Sequence, residues 1–179
     1  MDVKESLDLL RKEMDELKDS SRNKLSMVVF SGDMDKLLAS FIIATGAVAM
    51  GLDVVMFFTF WATPALRDKK KKGRGKDLFG KMFGFMLPKG ASKVALSKMN
   101  MGGMGTAMMK MLMKKKNVQS LDEMIALAGE LGVKIYICEM SMDLMGFKPD
   151  EMIDYPGVEF VGVAKFLEEA GNSKIQLFI

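Results

Sequence analysis

Cys138 has the widest chemical reach in this sequence: it is the only cysteine among 179 residues, and there is no histidine. Without an imidazole, Ser-His-Asp and Cys-His machinery is excluded, and so is the commonest transition-metal ligand. One cysteine forms neither an internal disulfide nor a cysteine-cluster metal site. We therefore expect no metal and no cofactor. What remains for a single thiol is nucleophilic exchange. Its thiolate can attack a sulfane sulfur or a disulfide, provided that its pKa is low and the sulfur can be reached. A lone thiol without a disulfide framework fits a reducing compartment, and the cytoplasm is the expected location.

Three short segments follow predicted strands: Ser31-Gly32-Asp33, Thr59-Phe60-Trp61 and Cys138-Glu139-Met140-Ser141. In open parallel sheets ligands sit beyond the carboxyl ends of the strands, so these segments should converge. Cys138 is then the catalytic candidate, and Gly32, Thr59, Trp61 and Ser141 are candidates for holding a substrate. The cysteine stands just before a predicted helix, whose free amides and positive end favour thiolate. Glu139 opposes this if its carboxylate turns inward. The plainer alternative is inert packing, the usual fate of a lone cysteine ending a buried strand. Phosphate motifs are weak. Gly103-Met104-Gly105 follows no predicted strand, and Gly75-Lys76 is followed by Asp77 rather than Ser or Thr. Asp143, Asp150, Glu151 and Asp154 read as helix-start and surface charges.

The elements that position these residues alternate between strand and helix. Residues 25–30 (LSMVVF) and 54–60 (VVMFFTF) are almost continuously apolar, as expected of strands covered on both faces. Between them a helix is predicted over residues 34–50, with Ser31-Gly32-Asp33 as its cap and Gly51 as its stop. Residues 120–123 (SLDE) form a capping box before an amphipathic helix that ends at Gly132. Residues 134–138, 158–161 and 175–179 are further strands. Helices are predicted at 141–145, with a continuation over 149–153 after a break, and at 164–170. The expected fold class is α/β: a Rossmann-like, doubly wound, mostly parallel five-stranded sheet in a single domain. Residues 41–61 carry one charge and would pass for a membrane span, but Gly51-Leu52-Asp53 divides them into a buried helix and a buried strand. At the amino end, residues 1–20 read as a charged helix rather than a signal peptide. Val3, Leu7, Leu10, Met14 and Leu17 on it follow a heptad seam.

An insert, residues 62–117, separates strands two and three. From Leu66 to Lys116 there are 15 Lys and Arg against two acids, a net +13, whereas the remainder carries 11 bases and 21 acids, a net −10. Such an insert attracts an anionic partner. Seven of the 15 residues from Met99 to Met113 are methionine. A flexible, polarisable surface of this kind suits a subunit interface or core lid, a docking groove, or an amphipathic stretch on an anionic membrane. Nucleic acid is not an expected partner, because no aromatic residue interleaves the basic run 69–76.

Residues 88–117 (PKGASKVALSKMNMGGMGTAMMKMLMKKKN) and 137–146 (ICEMSMDLMG) resemble the DsrE/DsrF/DrsH-like family, as do 57–61 (FFTFW) and 162–170 (GVAKFLEEA). The resemblance runs from about residue 25 to 179 and keeps the order of the elements. It implies a Rossmann-like sheet, a homo-oligomer and a role in sulfur trafficking. It places Cys138 at the cysteine of the C-x-M-S-M-D motif and adds Asn100 of the M-N-M element to the substrate-binding candidates. Donors and acceptors in such systems are TusA-like and rhodanese-like carriers. Some relatives have a second cysteine. This chain has none, so any sulfur must pass directly between Cys138 and a partner thiol. The expected function is that of a persulfide carrier, with sulfurtransferase activity an open question. The alternative is a non-catalytic module that docks to a membrane or a redox-enzyme partner through the insert. The carrier reading needs the Cys138 sulfur to be reachable.

Overall fold

The computed structural model describes residues 6–12, 23–71, 73 and 78–179. Five parallel strands form one sheet: β1 (Lys24–Val29), β2 (Asp53–Phe58), β3 (Lys134–Cys138), β4 (Val158–Val161) and β5 (Ile175–Phe178), in the spatial order β4-β3-β2-β1-β5. The helices are α1 (Met34–Ala49), α2 (Leu78–Met86), α3 (Met104–Lys115), α4 (Leu121–Glu130), α5 (Glu139–Met145) and α6 (Val163–Gly171). Residues 6–12 are helical, with Leu7 and Leu10 exposed. Val3, Met14 and Leu17 of the predicted seam lie outside the described residues, as do Lys72, Arg74 and Lys76 of the basic run.

The order explains the layering. From β1 to β4 the chain steps one way across the sheet, so right-handed crossovers put their helices on one face. Leu37 and Phe41 of α1, Met124 and Ala128 of α4, and Met142 and Met145 of α5 pack there on Met27, Met56, Phe58, Ile135 and Ile137. The last crossover reverses direction to set β5 beside β1, which sends α6 to the opposite face. On that second face the buried cluster is small: Val55, Phe57, Tyr136 and Cys138 from strands, Phe166 and Ala170 from α6. The predicted sheet and its two-sided winding are as observed, and every pairing is parallel.

Local differences have local causes. β2 stops at Phe58, and Phe60–Leu66 winds into a 3-10 helix around Pro64. Asp33 makes no side-chain cap on α1; the Met34 amide instead donates to the Ala95 carbonyl of the insert (2.7 Å). The capping box of α4 forms as read, with the Ser120 amide donating to Glu123 Oε2 (2.7 Å) and the Glu123 amide to Ser120 Oγ (3.3 Å). Most methionines of α3 and its approach (Met101, Met104, Met108, Met111) are exposed, and Met113 packs against the main core. No helix among the described residues is long and apolar enough to cross a membrane.

Candidate functional site

The β3 sequence KIYIC alternates across the sheet. Ile135 and Ile137 enter the main core, and Tyr136 and Cys138 face α6. Cys138 is the last residue of β3, opposite Val161 of β4, and also the residue before α5. The thiol is buried, its residue only 4% exposed. Glu139, next to it, is exposed. Helix α6 is fastened over this cluster. Phe166 stacks on Phe57 (centroids 5.0 Å, 20° between planes). Tyr136 donates its hydroxyl to Glu169 Oε1 (2.9 Å), and Glu169 also pairs with Lys24. Burial, reinforced by the Glu159 carboxylate, pushes the Tyr136 phenol above its ordinary pKa and keeps it a donor.

The three strand ends do converge. The hydroxyls of Thr59 and Ser141 are 2.8 Å apart, and the Phe60 amide donates to Ser141 Oγ (3.1 Å). This bond helps hold Phe60 at φ +44°, a left-handed conformation rare for a bulky side chain. Gly32 lies against the same turn: a Cβ on it would sit 2.1 Å from the Trp61 carbonyl oxygen, so no larger residue fits. Gly32, Thr59, Trp61 and Ser141 are thus one junction. It is filled largely by the protein's own hydrogen bonds, and it locks the start of α5 to the end of β2.

Asn100 makes its hydrogen bonds within its own turn. Its Oδ1 accepts from Thr106 Oγ1 (2.7 Å), and its carbonyl accepts from the amides of Gly103 (2.8 Å) and Gly105 (3.0 Å). It organises the turn that starts α3, where Gly105 lies so close to the Met99 carbonyl that a Cβ would collide with it (1.8 Å).

Two features escaped the sequence reading. The first is a set of exposed apolar residues on elements that begin or end near the carboxyl edge of the sheet: Trp61, Met140, Leu144, Val163 and Phe178. They come from four different elements, so no periodicity joins them. The second is a buried ion pair. Glu151, read as a surface charge, is 1% exposed and pairs with Arg67 Nη2 at 3.3 Å. The partners are 84 positions apart, which hides the pairing from any local pattern. Among the described residues no cluster of His, Cys, Asp or Glu could hold a metal ion.

The pattern of the DsrE/DsrF/DrsH-like family matches residues 21–178. Uncharacterized protein YrkE of Bacillus subtilis (strain 168) is 45% identical over 156 residues, covering 87% of this chain and 96% of its own length. Sulfur carrier protein DsrE2 of Allochromatium vinosum is 39% identical over 162 residues, covering 88% of this chain and 99% of its own. The crystal structure of the ychN protein from E. coli superposes with a TM-score of 0.51 at 14% identity, covering 87% of this chain and 98% of that one, a likeness of fold.

Proposed function

The chain belongs to the DsrE/DsrF/DrsH-like family, and on that premise we propose that it traffics sulfur, carrying sulfane sulfur as a persulfide on Cys138 and passing it to a partner thiol. The observation that carries this reading is the position of the one thiol. It ends β3 at the carboxyl edge of the sheet, inside the stretch that the family matches. In the loading step the Cys138 thiolate attacks the outer sulfur of a donor persulfide. A sulfur–sulfur bond forms on Cys138, the donor's bond breaks, and the donor leaves as thiolate. In the unloading step an acceptor thiolate attacks that outer sulfur and Cys138 is released as thiolate. No electrons are gained or lost overall. Thiosulfate, an anion, can serve as donor in the same way with sulfite as the leaving group.

Burial of Cys138 adds a requirement: the sulfur must be uncovered before it reacts. Helix α6 is the element that covers it, so transfer follows displacement of α6 or of the Cys138 side chain. The exposed apolar set of Trp61, Met140, Leu144, Val163 and Phe178 is a fitting contact for a second subunit or for a TusA-like or rhodanese-like carrier. Incubation with a sulfane donor should add about 32 Da, one sulfur atom, to the intact protein. Cys138→Ser should gain nothing; if it gains the same mass, the persulfide is not on this residue.

A second reading rests on α2. Leu78, Phe79, Phe85 and Met86 are exposed on a nine-residue helix, with Phe85 at 93%. In this reading the chain is a docking module that meets an anionic membrane surface or a redox-enzyme partner through the insert. Flotation with anionic but not neutral vesicles, lost in Phe79→Ser/Phe85→Ser, is its expected result for a membrane. Absence of flotation with either vesicle leaves the membrane version without support.

A further inference from the structure

We propose that the cavity between the first turns of α1 and α4 binds a small organic anion, a carboxylate or sulfonate carried on an apolar body. The cavity measures about 600 Å³, ample for such a molecule. Its apolar lining comes from Met34, Met113, Val118 and Leu121. Met34 opens α1 and Leu121 opens α4, so the crossovers place the cavity beyond the carboxyl ends of β1 and β2. It lies on the first face, whereas Cys138 faces α6 on the second, and the proposal stands whether or not Cys138 carries sulfur.

The charged lining is formally balanced, two lysines against two acids, so the engagement of each group decides which ligand charge it favours. Lys110 and Lys114 of α3 border the cavity together with Asp122 and Glu123. Both acids are already engaged. Glu123 Oε2 accepts from the Ser120 amide (2.7 Å) and hydroxyl (2.8 Å), and Asp122 pairs with Lys69 (3.5 Å). The lysines are less well matched. Lys110 Nζ donates to the Ser92 carbonyl (2.7 Å), a neutral partner, and the Lys114 ammonium makes no hydrogen bond or ion pair among the described residues. Partial burial lowers the pKa of Lys110, Lys69 and Lys93 act in the same direction, and Asp122 alone opposes them. An anion would supply the missing counter-charge while its apolar part covers the apolar lining. A cation would face two ammonium groups, and an uncharged molecule would desolvate Lys110 without compensation.

The test is a titration of methyl-labelled methionine, followed by NMR, with octanoate and with octanol as the uncharged control. The Met34 and Met113 signals should move with octanoate, and octanoate should bind at least about tenfold more tightly than octanol. Lys110→Gln/Lys114→Gln should abolish that preference while leaving the methionine spectrum of the free protein in place. Two results overturn the proposal. One is equal binding of octanoate and octanol to the unaltered protein. The other is movement confined to exposed methionines such as Met108 and Met111, which would place the ligand on the surface of α3.

Discussion

Replacing Phe166 with alanine is expected to raise the rate at which iodoacetamide alkylates Cys138 by roughly a hundredfold, the rate gained when about 3 kcal/mol of local stability is lost. The two faces of the sheet are covered unevenly. On the first face three helices share the core, and no single side chain holds them there. On the second face the buried helix residues are Phe166 and Ala170, both from α6. Phe166 is the larger, and it stacks directly on Phe57 of β2. Removing a buried phenylalanine costs about 3–5 kcal/mol. Here most of that loss falls on the attachment of α6, the element that must move before the thiol is exposed. Leu37→Ala serves as the control. Leu37 is equally buried but belongs to the first face, and its loss costs about 2–5 kcal/mol. If alkylation required unfolding of the whole domain, both variants would accelerate it in proportion to their loss of stability. Preferential acceleration by Phe166→Ala places the route to the sulfur beneath α6. An unchanged rate in Phe166→Ala would remove α6 from the proposed transfer path.

The same asymmetry shows what the residues disclosed in advance. Strand and helix periods located β3 and β4 to the residue, because Gly132, the capping box at Ser120 and the apolar runs are local signals. The convergence of Gly32, Thr59, Trp61 and Ser141 was also legible, since parallel topology alone sends these segments to one edge. Burial of Cys138 is one of two readings that the sequence leaves open. Its exposure depends on α6, more than 20 residues later in the chain, and on which face the final crossover takes. That choice follows from β5 pairing with β1, a contact no window of sequence contains. Asn100 was drawn to the site by the resemblance, but its hydrogen bonds run to its own turn, where Gly103, Gly105 and Thr106 consume them. Sequence patterns report what a segment does to itself; the site depends on what distant segments do to one another.

Glu151→Ala should lower stability by about 3–5 kcal/mol, the usual cost of leaving one buried ion uncompensated. Arg67 is 4% exposed, and its guanidinium joins three parts of the chain. It pairs with Glu151, donates to the carbonyls of Gly84 and Pro88 (3.3 Å each), and lies over the Phe147 ring at 4.6 Å. Its Nε has no hydrogen-bond partner, so the arginine is already incompletely satisfied and gains much from the carboxylate. The backbone follows the same seam: the Asp68 amide donates to the Glu151 carbonyl (2.8 Å), and the Ile153 amide to that of Leu66 (2.9 Å). For a chain of this length the loss corresponds to a drop in Tm of roughly 6–20 °C. The double replacement Arg67→Met/Glu151→Leu should cost clearly less than Glu151→Ala alone, because no buried charge is left behind. Denaturant titration of the two variants compares them directly. A double variant as unstable as the single one would mean that the guanidinium bonds to Gly84 and Pro88, rather than the charge pair, hold the insert to the domain. In that case α2, with its exposed Phe79 and Phe85, is held in place by Arg67 as a hydrogen-bond donor. Arg67→Lys, which keeps the charge but not the fork of donors, would then fail to preserve it.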